Sequence, residues 1–412
     1  MSLHRQLFIG ASVLAALAAQ SAQAQEMKVS GLVQVWYSQM LDSNLRVNTA
    51  APYYNLRSEF RENGFSMRRT EVKFAGKVLD DVKFEVMIDP SISTSASNPM
   101  ILQDAAIEWE AYPGVAFKVG QFKNLQTMEG LTSSSEILFA ERSQLGRVFG
   151  DKRDRGLVAS FAFGDVKAFG GKVFVGVFNG MGDAISGKGN DTNAGKDLVA
   201  RVEMNLGKTH RFGFYTLQGT TDVKDTTDLG IAANPPASWP SRADIYANKD
   251  KTTNLGAYYA FEQDGWIATA EVMTGDLGRR FPAMTSGAAP KRQHLDQAFL
   301  GYYVTGGYTF GHHTLLARYD VMNYNRGNKW YTAYNPYTET APGVPSAVDL
   351  SPEFKEATLG YTYAFKPDKL KAANLKVNYI HRSKNFLLPN AALGQSGAQG
   401  GDTVLVAFQI AF

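Results

Sequence analysis

The feature that most constrains this chain is an alternation of apolar and polar residues with a period of two, which recurs from about residue 28 to the last residue. Near the end, Val404, Val406 and Phe408 fall on one face of a strand. Thr403 and Gln409 fall on the opposite face. Successive side chains of a β-strand point to opposite sides, so such a strand can place one face in lipid and the other in water. The pattern therefore predicts an all-β membrane protein.

About sixteen segments show this alternation. They lie near 28–40, 65–78, 81–90, 101–112, 115–122, 156–163, 167–178, 196–206, 211–219, 254–263, 265–275, 297–310, 313–322, 355–365, 374–382 and 402–412. Their connections alternate between short turns and long loops, which is the arrangement of outer-membrane barrels. The sequence therefore predicts a 16-stranded antiparallel transmembrane β-barrel with short periplasmic turns and long extracellular loops.

Size and composition exclude several other classes. A soluble lipocalin-like barrel is smaller than 412 residues and does not direct Val, Phe and Tyr outward along every strand. The absence of cysteine excludes a disulfide scaffold, a thiolate metal site and a cysteine nucleophile. The 42 basic and 39 acidic residues give a formal charge of +3, without the basic excess that nucleic-acid binding requires.

Residues 1–24 have the pattern of a secretory signal peptide. Arg5 precedes an apolar stretch of 13 residues, and Ala22-Gln23-Ala24 supplies the small-residue cleavage site. Thirteen apolar residues are too few for a membrane-spanning helix, and the absence of cysteine excludes a lipid anchor. We expect residues 1–24 to be removed and residues 25–412 to form the barrel domain.

The strand faces opposite the apolar ones are polar and charged. Unpaired charges are too costly in a packed interior, whereas sixteen strands enclose a lumen wide enough for water. The sequence therefore predicts a water-filled pore for passive diffusion of small hydrophilic solutes. For any single charge, the alternative is a solvated wall residue with no individual role. The basic residues that alternation directs inward are Arg69, Lys73, Lys77, Lys83, Lys118, Arg201, Arg318, Lys376 and Arg382.

Several runs, in their order along the chain, resemble a known family. They are MRRTEVKFAGKV (67–78), LQDAAIEW (102–109), VGQFK (119–123), LTSS (131–134), AERS (140–143), VFNG (177–180) and KDLVAR (196–201). These runs resemble the phosphate-selective porin O and P family, densely from about residue 65 to 206. The resemblance implies a homotrimer in the cell outer membrane. It also implies that basic residues line the path and favour anions, phosphate among them.

The resemblance further implies that the third long loop, here residues 124–154, folds inward and constricts the pore. Lys123, Arg142 and Arg147 then join the inward basic residues as candidates for the anion path. Strict alternation directs Lys123 toward lipid, so Lys123 reaches the pore only if the strand ends or bulges near Gly120. The resemblance favours that break; the alternative is a Lys123 side chain that snorkels at the membrane edge. Arg142 could equally be held by Glu141 or another loop carboxylate as a structural pair.

The loop and its flanks carry six basic and five acidic residues. This near balance fits a weak anion preference or a general, weakly selective porin as well as it fits phosphate selectivity. An outer-membrane enzyme or an adhesin-type barrel is the alternative from another class. The sequence contains no G-x-S-x-G or H-E-x-x-H motif, and we expect no catalytic residue, metal site or cofactor. The expected partners are outer-membrane lipid and, through the strand that ends in Phe412, the outer-membrane assembly machinery.

Overall fold

The structure is a computed structural model, and it describes residues 26–41, 63–91, 101–165, 167–180, 195–221, 250–277, 298–323, 326, 353–386 and 399–412. Sixteen strands lie within these residues. They are β1 (Glu26–Met40), β2 (Gly64–Lys77), β3 (Val82–Ile88), β4 (Leu102–Tyr112), β5 (Val115–Lys123), β6 (Arg153–Asp165), β7 (Phe169–Phe178), β8 (Asp197–Leu206), β9 (His210–Thr221), β10 (Asp250–Gln263), β11 (Trp266–Leu277), β12 (Ala298–Phe310), β13 (His313–Asn323), β14 (Glu353–Ala364), β15 (Ala373–Phe386) and β16 (Gln399–Ala411).

The strands form one closed antiparallel barrel. Each strand pairs with the next, and β1 pairs with β16 in a register that includes Val33 opposite Ile410. Closure leaves no strand edge with unpaired backbone groups, which a membrane-spanning sheet requires. The predicted 16-stranded antiparallel barrel is confirmed. β6 and β10 begin at Arg153 and Asp250, a few residues before the alternation becomes visible in the sequence.

The two strand faces differ as the period of two predicts. On β13, Leu315 and Tyr319 are exposed on the outer surface, whereas Arg318 and Asp320 on the other face are buried. Outward side chains of other strands, such as Leu255 on β10 and Leu359 on β14, are also apolar and exposed. Apolar side chains exposed all around a barrel are energetically favourable in contact with lipid and unfavourable in contact with water. The outer surface is therefore the membrane surface.

Short and long connections alternate along the chain, so the strand ends that they join lie at opposite rims of the barrel. The short connections join β2 to β3, β4 to β5, β6 to β7, β8 to β9, β10 to β11, β12 to β13 and β14 to β15. The last of these contains a 3-10 helix, Pro367–Lys369. The predicted signal peptide and most residues of the long connections lie outside the described residues. No helix in the described part of the chain is long and apolar enough to cross a membrane.

The connection between β5 and β6 is described completely, and we call residues 124–152 the β5–β6 segment. It contains two short helices, α1 (Met128–Leu131) and α2 (Gln144–Val148). Its apolar side chains pack against the inward faces of the strands. Ala140, for example, joins a buried cluster with Trp36 on β1 and Leu405 on β16. The buried core of this protein therefore includes the interface between the segment and the barrel wall.

The membrane-facing surface gives a first prediction. Val304 lies at the centre of β12 and Phe310 at its end, and both side chains point outward. We expect Val304→Arg to lower the unfolding free energy of the barrel in lipid by about 2–4 kcal/mol, because it places a charge near the bilayer midplane. Phe310→Arg is the matched control at the interface, with an expected loss of about 0–1 kcal/mol. Denaturant titration in lipid vesicles measures both, and equal losses would contradict the membrane placement.

Candidate functional site

The β5–β6 segment leaves the barrel wall through an irregular stretch of backbone. Gly120 has φ +134°, a conformation that favours glycine, and Leu125 and Thr127 have φ values of 63° and 56°. After Gly120, Gln121 and Phe122 are both buried, so strict alternation ends at that glycine. The Lys123 ammonium donates to the Gly130 carbonyl at 2.7 Å and lies 2.9 Å from Asp151 Oδ1. It therefore contacts the segment and does not extend into lipid.

Side-chain caps begin both helices of the segment. Thr127 Oγ1 accepts a hydrogen bond from Gly130 N at 2.9 Å, and Ser143 Oγ accepts one from Gly146 N at 3.2 Å. Ser and Thr at this position satisfy backbone N–H groups that the first helical turn leaves free. Such short helices are not stable by themselves, so the barrel wall must hold them.

Wall side chains bond directly to the backbone of the segment. The Met128 N–H donates to Glu271 on β11 at 2.6 Å, and the Gln144 N–H donates to Asp320 on β13 at 2.5 Å. Lys376 on β15 donates to the Ile137 carbonyl at 2.5 Å. Buried backbone groups need such partners. The polar residues on these inward faces therefore serve partly to hold the segment.

The segment also contacts the strands that close the barrel. Gln34 on β1 donates to the Ser134 carbonyl at 3.2 Å, and Gln409 on β16 donates to the Ser135 carbonyl at 2.9 Å. With the contacts to β11, β13 and β15, the segment is bonded to inward-facing side chains on separate parts of the wall. It thus passes through the interior of the barrel.

The Asp151 cluster is the first of four charged groups in which basic side chains share a carboxylate. Asp151 Oδ1 lies 2.9 Å from Lys123 Nζ and 3.0 Å from Arg153 NH1, and Oδ2 lies 2.8 Å from Arg142 NH1. Arg153 also contacts Asp104 on β4 at 3.2 Å. Burial by itself raises the pKa of Asp151, but the three surrounding cations, Arg142 foremost, hold that pKa well below its usual range. The carboxylate is therefore ionised at neutral pH.

The Glu356 cluster joins the segment to β13, β14 and β15. Glu356 on β14 accepts from Arg147 at 3.0 Å, from Arg382 at 3.0 Å and from Arg318 at 3.4 Å. All four side chains are buried. Arg318 also donates to the Glu141 carbonyl at 3.0 Å. This carboxylate connects an arginine of α2 to two arginines of the wall.

The Glu141 cluster contains an arginine that the sequence pattern does not reveal. Gln34 pairs with Arg69, but Val35 pairs with Met67, so Arg68 is the extra residue of a β-bulge. The bulge turns Arg68 inward, where it donates to Glu141 at 2.6 Å and lies over the Trp36 ring. Arg69 lies 3.9 Å from the same carboxylate. Burial raises the pKa of Glu141, but Arg68 and Arg69 hold it far below the usual range.

The Glu85 cluster lies beside open space in the lumen. Lys73 on β2 contacts Glu85 at 2.5 Å, and Lys118 on β5 contacts the other oxygen of the same carboxylate. Both lysines line a cavity of about 470 Å³ that also touches Lys123 and Arg153. Their side chains are 36% and 28% exposed, so they reach water more than the buried arginines do.

The remaining candidate residues occupy two places. Lys77 and Lys83 line a cavity of about 280 Å³ near the short-turn rim, and Lys83 lies 3.8 Å from Glu108 and from Glu110. Arg201 is buried between the Tyr215 and Tyr258 rings. Its guanidinium donates to Glu203 at 2.7 Å and to the Thr127 carbonyl at 3.4 Å.

A third cavity, of about 710 Å³, lies on the opposite side of the segment from the Glu85 cluster. Threonines from β11, β12, β13 and β14 form part of its wall. Charged side chains also line it, among them Arg201, Glu203, Lys208, Arg211, Glu262, Lys371 and Lys376. Hydroxyl groups and fixed charges around open space suit hydrated solutes. The two sides of the lumen therefore differ in part, since threonine hydroxyls line only the second side, whereas both sides carry charged side chains of both signs.

The predicted basic residues thus fall into two groups. One group is buried in contacts with the segment or the wall: Arg69, Arg142, Arg147, Arg201, Arg318, Lys376 and Arg382. The other group is less buried and borders the cavities of about 280 and 470 Å³: Lys73, Lys77, Lys83, Lys118 and Lys123. Arg68 and Glu356 are not among the residues predicted from the sequence pattern. Alternation does place Glu356 on the face of Thr358, whereas only the bulge places Arg68 inward.

Comparisons with known proteins agree with this architecture. The family model described as phosphate-selective porin O and P matches residues 44–385. An anion-selective porin from Comamonas acidovorans aligns with a TM-score of 0.53 at 11% identity, covering 94% of this chain and 99% of its own. OmpT of Vibrio cholerae, an outer membrane protein in trimer form, aligns with a TM-score of 0.50 at 9% identity, covering 94% and 99%. A search of curated protein sequences gave no match. At these identities the likeness to solved structures shows the fold alone.

Proposed function

Because this chain belongs to the phosphate-selective porin O and P family and is a channel protein of the outer membrane, we propose that it mediates passive diffusion of small hydrophilic solutes, with a mild preference for anions such as phosphate. In this proposal residues 124–154 narrow the pore, and solutes pass the cavities on either side of the β5–β6 segment. Transport needs no cofactor and no catalytic step, so the protein acts as a channel and not as an enzyme.

One observation carries the anion preference. In each of the four charged clusters, a single carboxylate is shared by two or three basic side chains, which favours a positive potential near the segment. A positive potential concentrates anions in a narrow aqueous passage. Lys73, Lys118 and Lys123 border the open cavity and are the residues that we propose an anion meets. The distantly similar porin of Comamonas acidovorans is described as anion-selective, which agrees with the proposal.

A general, weakly selective porin is the second candidate, because further carboxylates lie close to these clusters. Glu71 is 3.7 Å from Arg69, Asp104 is 3.2 Å from Arg153, and Glu129 is 3.7 Å from Arg318. These acids offset part of the positive charge. The expected preference is therefore mild.

We also infer a homotrimer embedded in outer-membrane lipid. The apolar outer surface supports lipid contact, and the similar OmpT structure is in trimer form. Phe412 directly follows β16 and is exposed, and its N–H donates to the Gly31 carbonyl at 3.1 Å. We propose that this strand is the part that the assembly machinery recognises.

Reversal potentials test the anion preference. With purified trimer in a planar bilayer under a potassium chloride gradient, we expect a potential whose sign indicates faster chloride than potassium. A reversal potential of the opposite sign would exclude the anion preference. Added phosphate separates the two candidates, because a phosphate-binding channel loses chloride current at phosphate concentrations that leave a general porin unaffected.

A further inference from the structure

We propose that Asp151 is a built-in counterion that limits how strongly the channel attracts anions, so that its neutralisation increases anion selectivity. The inference rests on the proposed function only in taking the lumen as the solute path. It assigns a specificity-determining role to a carboxylate of the segment, whereas the residues predicted from the sequence to line the anion path are all basic.

The geometry around Asp151 is that of a bound oxyanion. Lys123 and Arg153 approach Oδ1 at 2.9 and 3.0 Å, and Arg142 approaches Oδ2 at 2.8 Å. The three cations come from β5, from the segment and from β6. Charge-assisted hydrogen bonds to both oxygens are the contacts that basic side chains also make with a phosphate or a free carboxylate. Asp151 therefore occupies the position in which these cations could hold an anion from solution.

The three cations have other anchors, so they stay in place when the carboxylate is neutralised. Arg142 donates to the Glu129 carbonyl at 2.8 Å and to the Thr132 carbonyl at 2.9 Å. Lys123 donates to the Gly130 carbonyl at 2.7 Å. Arg153 keeps its contact with Asp104 at 3.2 Å. Loss of the Asp151 charge should therefore raise the positive charge at this point without dispersing the cluster.

The cluster can act on solutes because it borders the passage. Lys123 and Arg153 line the cavity of about 470 Å³, together with Ser133 and Ser134 of the segment. The Asp151 side chain itself is 24% exposed. A change of one unit charge this close to the solute space changes the local concentration of small anions and cations in opposite directions.

Asparagine is the suitable replacement at this position. Asp151 has φ +53°, a left-handed conformation that Asp and Asn tolerate better than other non-glycine residues. Asp151→Asn therefore removes the charge while the backbone and the side-chain shape are preserved. Asp151→Ala would add backbone strain, so a change in the permeability ratio could not be assigned to the lost charge alone.

The experiment compares three variants in planar bilayers. We expect Asp151→Asn to increase the chloride-to-potassium permeability ratio roughly threefold, the effect of one unit charge a few ångström from the path. Inorganic phosphate should also reduce its chloride current at a lower concentration than in the original protein. Asp151→Glu keeps the charge but adds backbone strain at φ +53°, so it should lower the stability while leaving the permeability ratio unchanged. Glu353→Gln makes the same change in net charge on the outer face of β14, where Glu353 pairs with Lys355, and should also leave the ratio unchanged.

The outcomes separate this inference from the proposed function. If Asp151→Asn has the same permeability ratio as Glu353→Gln, Asp151 is not the limiting counterion. If Asp151→Asn only lowers the temperature at which the barrel unfolds, Asp151 has a structural role and the inference is wrong. If the original protein prefers cations but Asp151→Asn still shifts the ratio toward anions, the anion preference fails and this inference stands.

Discussion

Glu356→Gln is expected to destabilise the folded barrel by about 3–5 kcal/mol and to loosen the β5–β6 segment, the largest stability effect that we foresee for a single substitution. Glu356 is the shared acceptor of Arg147, Arg318 and Arg382, and all of these side chains are buried. Removing one negative charge deprives three buried guanidinium groups of the carboxylate that they share. The cost arises mainly because these buried cations lose their shared counterion, and not because a single favourable contact is lost.

The same change should alter the current through the pore. Arg147 belongs to α2, so its bond to Glu356 is one of the contacts that fix the segment to the wall. We expect larger fluctuations of single-channel conductance in Glu356→Gln than in the original protein. Thermal unfolding in detergent measures the stability, and single-channel recording measures the fluctuations.

Glu353→Gln is the matched control for this prediction. Glu353 lies on the same strand but pairs with the exposed Lys355 at 2.8 Å. Exposed ion pairs contribute about 0–1 kcal/mol, so this variant should unfold close to the original protein. Equal stabilities of Glu356→Gln and Glu353→Gln would show that the buried cluster does not hold the segment.

Replacing both Lys73 and Lys118 by glutamine is expected to shift ion selectivity toward cations by roughly tenfold. The two lysines share Glu85 beside the open cavity, so their loss changes the formal charge of this group from positive to negative. Each unit charge near the path changes the permeability ratio roughly threefold, and the two effects multiply to about tenfold. The reversal potential under a salt gradient gives the permeability ratio directly.

The control replaces Lys167 and Lys355 by glutamine. Lys167 is exposed in the turn between β6 and β7, and Lys355 is exposed on the outer face of β14. The net charge changes by the same amount, but away from the cavity. A shift of similar size in both double variants would mean that overall charge, and not the Glu85 cluster, sets the selectivity.

Most of the fold could be predicted from the sequence. The period of two gave the number of strands, their approximate limits and the face that each residue occupies, because an isolated strand already fixes which side chains share a side. The inward positions of Lys73, Lys118, Arg318 and Glu85 follow from that rule. The order of short and long connections followed from the spacing between segments.

The pairing of the charges could not be predicted in this way. Periodicity indicates a face but not which residue lies across the lumen, and Arg147 meets Glu356 over a separation of 209 residues. The bulge at Arg68 shifts the register locally, and Lys123, three residues after the positive φ of Gly120, contacts the segment although alternation directs it toward lipid. Neither irregularity leaves a distinct signal in the pattern, because each depends on how a strand fits its neighbour.

The amino-acid sequence by itself thus determined that a closed barrel with an apolar exterior and a polar interior forms, because these properties depend on local alternation and on the need to satisfy backbone groups in lipid. Only the tertiary structure decided that many of the interior cations are bound by shared carboxylates and by backbone carbonyls of the β5–β6 segment. Coulomb interactions depend on distances in space, and those distances exist only after the barrel has closed around the segment.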